Sequence, residues 1–234
     1  ALLNNEIDIA VHSLKDVPTK LPLGVIQGAV LQRGSELDII IPNNPLKSKE
    51  NTIATGSLRR KAQWLNRFKT DKIVEIRGNV QTRLRKLKEN NWNGTIMAKA
   101  GLERLEILPE YYQELNWMIP APAQGAISVQ NLTIKPSITK MLKQINHVET
   151  EICTNIERSF LNKLEGGCTA PIGAYAKIAN KSIVFRAVLL SAEGKNKIEI
   201  NEVEKLENIE GLGERFAKKI ISLGGDKILN SLKG

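Results

Sequence analysis

The residues best placed to do chemistry sit where the sequence predicts turns. Lys15 and Asp16 follow the alternating stretch DIAVHS (8–13) and are followed by Pro18 and Pro22. This pattern puts an ammonium and a carboxylate on a loop at the C-terminal end of a strand. In α/β sheets, loops at the carboxyl ends of strands are where ligands sit. Thr55, Gly56 and Ser57 open one predicted helix just before Arg59 and Arg60, and Arg77, Gly78 and Asn79 open a second before Thr82 and Arg83. Cations are unfavourable in a helix's first turn, so two helices that both carry arginines there call for a compensating anion, bound by the guanidinium groups and the free backbone N–H groups together.

The two cysteines differ in setting. Cys153 falls on the apolar face of a predicted helix and reads as a core residue, since a free thiol packs as a small hydrophobe. Cys168 follows Gly166 and Gly167, a helix stop, which leaves its thiol either a spare surface group or a point of covalent attachment or attack. His12 and His147 are too far apart to suggest a metal site, and none is expected. A hydrolytic triad of His12, Ser13 and Asp16 fails because adjacent strand residues point to opposite faces; His12 is expected to be a packing residue with a hydrogen-bond partner.

These residues lie in a chain of 234 with net charge +9, and the excess is local: residues 59–104 hold thirteen Lys/Arg against four Asp/Glu. Such a segment attracts anions. It offers few aromatic platforms, and two of them, Trp64 and Phe68, share a helical face and read as core, which argues against a single-stranded nucleic-acid binder. No apolar run approaches a membrane span, and the opening ALLNNEIDIA lacks the features of a signal peptide. That opening predicts that the chain starts in mid-fold, with an N-terminal piece lying outside it. Two cysteines in a chain of this length fit a reducing, cytoplasmic setting.

Stepping from strand LDIII through helix SLRRKAQWLNRF, strand KIVEI, helix NVQTRLRKLKEN and strand TIMA to helix AGLERL, residues 37–105 predict a parallel α/β sheet. In such sheets, ligands sit beyond the carboxyl ends of the strands. IPAPAQGAISVQ (119–130) suits a crossing between lobes, and the two amphipathic helices and three strands after it predict a small α+β lobe.

Together DIAVHSLKDVPTKLP, SLRRKAQ, RGNVQTRL, AGLERL, PAPAQGAI and ERSFLNKLEGGCTAPIGAYA resemble the porphobilinogen deaminase (hydroxymethylbilane synthase) family, in the family's order and across nearly the whole chain. The resemblance implies an enzyme that joins porphobilinogen units head to tail with loss of ammonia and releases hydroxymethylbilane. It also implies a dipyrromethane cofactor held by a thioether to Cys168. Arg59 and Arg60 would bind that cofactor with Ser13, Lys15, Thr55 and Ser57, while Arg77, Arg83 and Arg104 would bind the carboxylates of the substrate and growing chain. Asp16 would be catalytic, stabilising the cation left by loss of ammonia. The chain departs from the family's pattern at Gly56, Leu37 and Gln130.

The expected fold is therefore α/β, with two Rossmann-like (periplasmic-binding-protein-like) lobes, the first incomplete, and a C-terminal α+β lobe. The expected division is residues 1–35 with 120–146, then 36–119, then 147–234. A monomer acting on a small-molecule substrate, without nucleic-acid or membrane partners, is the expectation. The alternative is a non-catalytic two-lobed protein that binds small anions.

Overall fold

The computed structural model describes residues 1–47, 49–164 and 170–232. Three sheets organise the chain. Strands β1 (Ala10–Ser13) and β2 (Val25–Val30) flank β8 (Ile127–Leu132), both antiparallel to it. A short 3-10 turn, Leu14–Asp16, caps β1 and carries Lys15 and Asp16. Leu14 and Val17 anchor this turn against Val30, Ala123 and Ala126. Helix α4 (Pro136–Leu142) packs Leu142 on the same sheet, against Ala29 and Val129.

The second sheet holds β3 (Asp38–Pro42), β4 (Thr52–Ala54), β5 (Lys72–Val74), β6 (Gly94–Ala98) and β7 (Gln113–Glu114), in spatial order β5-β4-β6-β3-β7. It is mixed, not parallel throughout: β4 pairs parallel with β5 and β6, but β3 runs antiparallel to β6 and β7. The reason is topological. The sequence from the end of β3 at Pro42 to the start of β4 at Thr52 is too short for the long crossover that parallel neighbours need, and β6 inserts between the two strands instead. Strand β4, only three residues long, is not evident from the hydrophobic pattern.

Helix α1 (Leu58–Arg67) follows β4, α2 (Val80–Glu89) follows β5, and α3 (Lys99–Arg104) follows β6. Strand alternation gives β3 two apolar faces. Ile40 joins Ile53, Ile96 and Trp64 of α1 on one side, while Ile39 and Ile41 join Met97, Leu87 of α2 and Leu102 of α3 on the other. The helices thus cover both faces. From β4 the chain moves to one neighbour, β5, and then across to the other, β6. The carboxyl end of β4 is therefore a topological switch point, where α/β sheets leave a crevice for ligands.

The third sheet is an antiparallel meander of β9 (Ile172–Ala179), β10 (Ser182–Leu190) and β11 (Lys197–Lys205). It is covered by α5 (Val148–Leu164) and α6 (Leu212–Ile220), followed by α7 (Asp226–Ser231). Phe185 stacks on Phe216 at 4.5 Å and meets Phe160 of α5 edge-on at 5.3 Å. Cys153 is buried in this core as expected, and burial pushes its thiol up to about 11.

Two chain crossings join the first two sheets and lie side by side. Gly34 N donates to Gly125 O at 3.0 Å. Gly125 has φ +89°, and a Cβ there would come within 2.6 Å of the Ser35 carbonyl, so only glycine lets the crossings touch. No helix among the described residues is long and apolar enough to cross a membrane.

Candidate active site

The cleft is built around one buried carboxylate that the sequence analysis did not single out. Asp38 opens β3 on the same face as Ile40, so it points toward α1. Its side chain is fully buried. Arg59 Nη1 donates to its Oδ2 at 2.7 Å, and Arg60 Nε donates to its Oδ1 at 2.9 Å, with Arg60 Nη2 in ion-pair contact at 2.8 Å. Burial alone would raise the Asp38 pKa, but the Arg59 and Arg60 charges outweigh it and hold the carboxyl well below the usual carboxylate range.

The anion demanded by two arginines in the first turn of α1 is thus internal, at least in part. Arg59 Nη1 also donates to Ile119 O at 2.8 Å and Arg60 Nη1 to Ile96 O at 3.1 Å. One donor is left over: Arg59 Nε is buried with no partner among the described residues. Ser57 caps α1, its hydroxyl accepting from Arg60 N at 3.4 Å. Thr55 Oγ1 is buried and accepts from Ser57 N at 3.2 Å. At Gly56 a Cβ would come within 2.6 Å of Ile76 O, so this bend has no room for a side chain unless the backbone shifts.

Gln124 ties the first sheet to the second. It is fully buried, and its Nε2 donates to Glu36 O at 2.7 Å and to Asp38 Oδ1 at 3.1 Å, while its Oε1 accepts from Lys15 Nζ at 3.4 Å. Burial and the Arg60 charge bring the Lys15 ammonium down to about 8, against the opposing pull of Asp16 and Asp38. Arg83 feels Arg60 and Asp16 as well, after burial as the main cause lowering its pKa. Lys15, Asp16, Arg59, Arg60 and Arg83 therefore share one electrostatic neighbourhood, with Asp16 exposed to solvent.

Other residues singled out from the sequence stand apart from this cluster. Arg77 is exposed and paired with Glu75 at 2.6 Å, and Arg83 Nε donates to Gly78 O at 2.7 Å, so α2 is also served by internal partners. Arg104 donates to Gly125 O at the crossing between sheets. Ser13 is half-buried at the end of β1, opposite Ile127. His12 is exposed rather than packed, because on this edge strand both His12 and Val11 face solvent. Cys168 lies outside the described residues.

Sequence reasoning also missed the contacts by which the third sheet's helix α5 holds the cleft. Arg158 Nη1 donates to Leu14 O at 3.0 Å and Val17 O at 2.9 Å, and its Nη2 donates to Pro18 O at 2.6 Å. One guanidinium thus fixes the turn that carries Lys15 and Asp16. One residue earlier, buried Glu157 accepts from Arg33 and from the backbone N–H groups of Ala123 and Ala176. The only signal for either was an acid–base pair inside an amphipathic helix, which usually means a solvated face.

A family model described as porphobilinogen deaminase, dipyromethane cofactor binding domain, matches residues 1–140, and one described as porphobilinogen deaminase, C-terminal domain, matches residues 151–222. The chain belongs to the porphobilinogen deaminase family. A porphobilinogen deaminase from Desulforamulus reducens is 39% identical over 100% of this chain and 77% of its own length. One from Listeria monocytogenes serovar 1/2a is 38% identical, over 100% and 78%. A probable porphobilinogen deaminase from Methanosarcina acetivorans is 40% identical, over 97% and 74%. Both matching domains and their order agree with the motifs read from the sequence.

Proposed function

We propose that this member of the porphobilinogen deaminase family joins porphobilinogen units head to tail, releases one ammonia per unit, and frees hydroxymethylbilane by hydrolysis. The observation that carries the reading is the convergence of Lys15, Asp16, Arg59, Arg60 and Arg83 at the switch point of the second sheet. It favours catalysis over simple anion binding because the cationic array includes an exposed carboxylate, which repels an anionic ligand unless it has chemical work to do. The family's dipyrromethane cofactor, when bound, supplies the terminal pyrrole carbon to which the first substrate is joined.

The residues fit such a group. Each pyrrole bears an acetate and a propionate, and among the described residues the cleft offers a buried Arg59 Nε without a partner and a Lys15 ammonium with one long hydrogen bond. Arg59, Arg60, Lys15, Ser13, Thr55 and Ser57 would hold the cofactor, with Cys168 its thioether anchor. Arg77, Arg83 and Arg104 would take the carboxylates of incoming units, as planar guanidinium forks suit them. Asp16 would face the pyrrole N–H and stabilise the cation that forms on the substrate as ammonia leaves.

We assign residues 1–35 with 120–146 to the first lobe, 36–119 to the second and 147–234 to the third. The enzyme would act as a monomer in the cytoplasm, with motion between lobes accommodating the lengthening chain.

The test is an assay of ammonia and tetrapyrrole formation from porphobilinogen, with Asp16→Asn as the comparison. The wild-type chain should turn over and the variant should lose at least about a hundredfold in kcat while keeping its fold. A variant with wild-type rates would remove Asp16 from the mechanism.

A further inference from the structure

Asp38 is placed to do more than neutralise two neighbours. Its two oxygens accept three hydrogen bonds, from Arg59 Nη1, Arg60 Nε and Gln124 Nε2, at 2.7 to 3.1 Å, and Arg60 Nη2 completes the ion pair at 2.8 Å. Two of the bonds come from guanidinium forks, whose planar geometry fixes orientation as well as distance. The third comes from an amide whose other end meets Lys15 in the turn that follows β1. With two cations on one anion, the trio keeps a net positive charge, and Arg59 Nε, buried with no partner among the described residues, is held at a fixed angle.

A buried carboxylate with this partner set is costly to desolvate, and a pair of apolar residues would stabilise the fold at least as well. A folding role therefore does not account for it. Orientation does: a 1 Å displacement of a charged group at a reacting centre can cost about a hundredfold in rate.

We propose that Asp38 is a positioning residue of the cleft, which through its three hydrogen bonds and its ion pair with Arg60 locks Arg59, Arg60 and, by way of Gln124, Lys15 into one preset cationic array for a carboxylate-bearing pyrrole ligand. The proposal rests on the functional reading above for the identity of the ligand, but the array itself can be tested without it. Fully buried, Asp38 acts through the arginines.

The experiment compares wild type, Asp38→Asn and Asp38→Glu, each checked for folding by circular dichroism. Three readouts follow: the pH midpoint of Lys15 methylation by peptide mapping, the mass of any adduct on the Cys168 peptide, and kcat and KM for porphobilinogen. Asp38→Asn removes an anion that favours the Lys15 ammonium, so its midpoint should fall below the wild-type value of about 8. Its kcat should drop at least about tenfold, with a smaller change in KM.

Asp38→Glu keeps the charge, so it should restore the Lys15 midpoint while leaving kcat reduced, because its extra methylene displaces both guanidiniums. A folded Asp38→Asn with unchanged midpoint and kcat would overturn the proposal. If Asp38→Asn does not fold, Asp38→Glu decides: a folded variant with wild-type kcat overturns it, and one with reduced kcat supports it. If even wild type shows neither adduct nor turnover, the functional reading fails, and the Lys15 midpoint still tests the array.

Discussion

Arg158 donates to the carbonyl of Leu14 across 144 residues of sequence, at 3.0 Å, and so ties helix α5 to the turn that carries Asp16. The same guanidinium reaches Val17 O and Pro18 O. Three carbonyls around one planar fork add to the apolar anchoring of Leu14 and Val17 in defining the turn's position.

Arg158→Lys should therefore keep the charge and lose the geometry, because an ammonium cannot span three carbonyls in a plane. The expected outcome is a fall of about tenfold to a hundredfold in kcat, with a smaller effect on KM and on thermal stability. Steady-state kinetics on porphobilinogen check it. Unchanged kcat would mean that the turn holds itself.

Glu157 and Arg33 form the other tie, bidentate at 2.6 and 3.2 Å, with the Glu157 side chain fully buried. Ala123 N and Ala176 N, from the lobe crossing and from β9, donate to the same carboxylate at 2.6 and 2.8 Å. Glu157→Ala would strand a largely buried guanidinium and two backbone donors. Urea denaturation should show a loss of about 3–5 kcal/mol, on the scale of a broken buried ion pair. A loss below about 1 kcal/mol would show that Arg33 is satisfied by Gln124 O and the Tyr175 ring alone.

What the sequence revealed and what it concealed follow one physical line. The placement of Lys15 and Asp16 at a strand end was legible, because alternation and two prolines are local signals. So were α1 and α2, whose Ser57 and Asn79 caps and flanking glycines mark their starts. Asp38 was not legible: one carboxylate at the head of LDIII looks like a strand boundary, and only the fold brings it to arginines more than 20 residues later. For the same reason the arginines looked unpaired, although α1 carries its counter-ion inside the protein. The parallel expectation for the second sheet failed at β3, since the short stretch between β3 and β4 cannot make the crossover that a parallel arrangement needs. His12 was misplaced because an edge strand can leave both faces to solvent.

Lys15 provides a prediction in pH. Burial, then Arg60, lower its ammonium from 10.5 to about 8. The folded chain should release this proton near pH 8, whereas the unfolded chain keeps it until about 10.5. Between these values the unfolded state binds more protons, so the cost of burying the Lys15 ammonium, fully present below about pH 8, is lifted as pH rises to about 10.5. Denaturation of wild type and Lys15→Met at several pH values checks the sign. Wild type should gain on the variant from about pH 8 to 10.5, and a difference independent of pH would contradict the assigned burial. Carboxylates bound beside Lys15 should move its midpoint upward.

The central claim is that the cleft serves a pyrrole primer anchored on Cys168. The most direct test is the intact mass of the chain purified from cells that make porphobilinogen, followed by peptide mapping. The account predicts a mass excess of two linked pyrroles, confined to the Cys168 peptide and absent from that of Cys153. An unmodified Cys168, or an adduct located elsewhere, would contradict it.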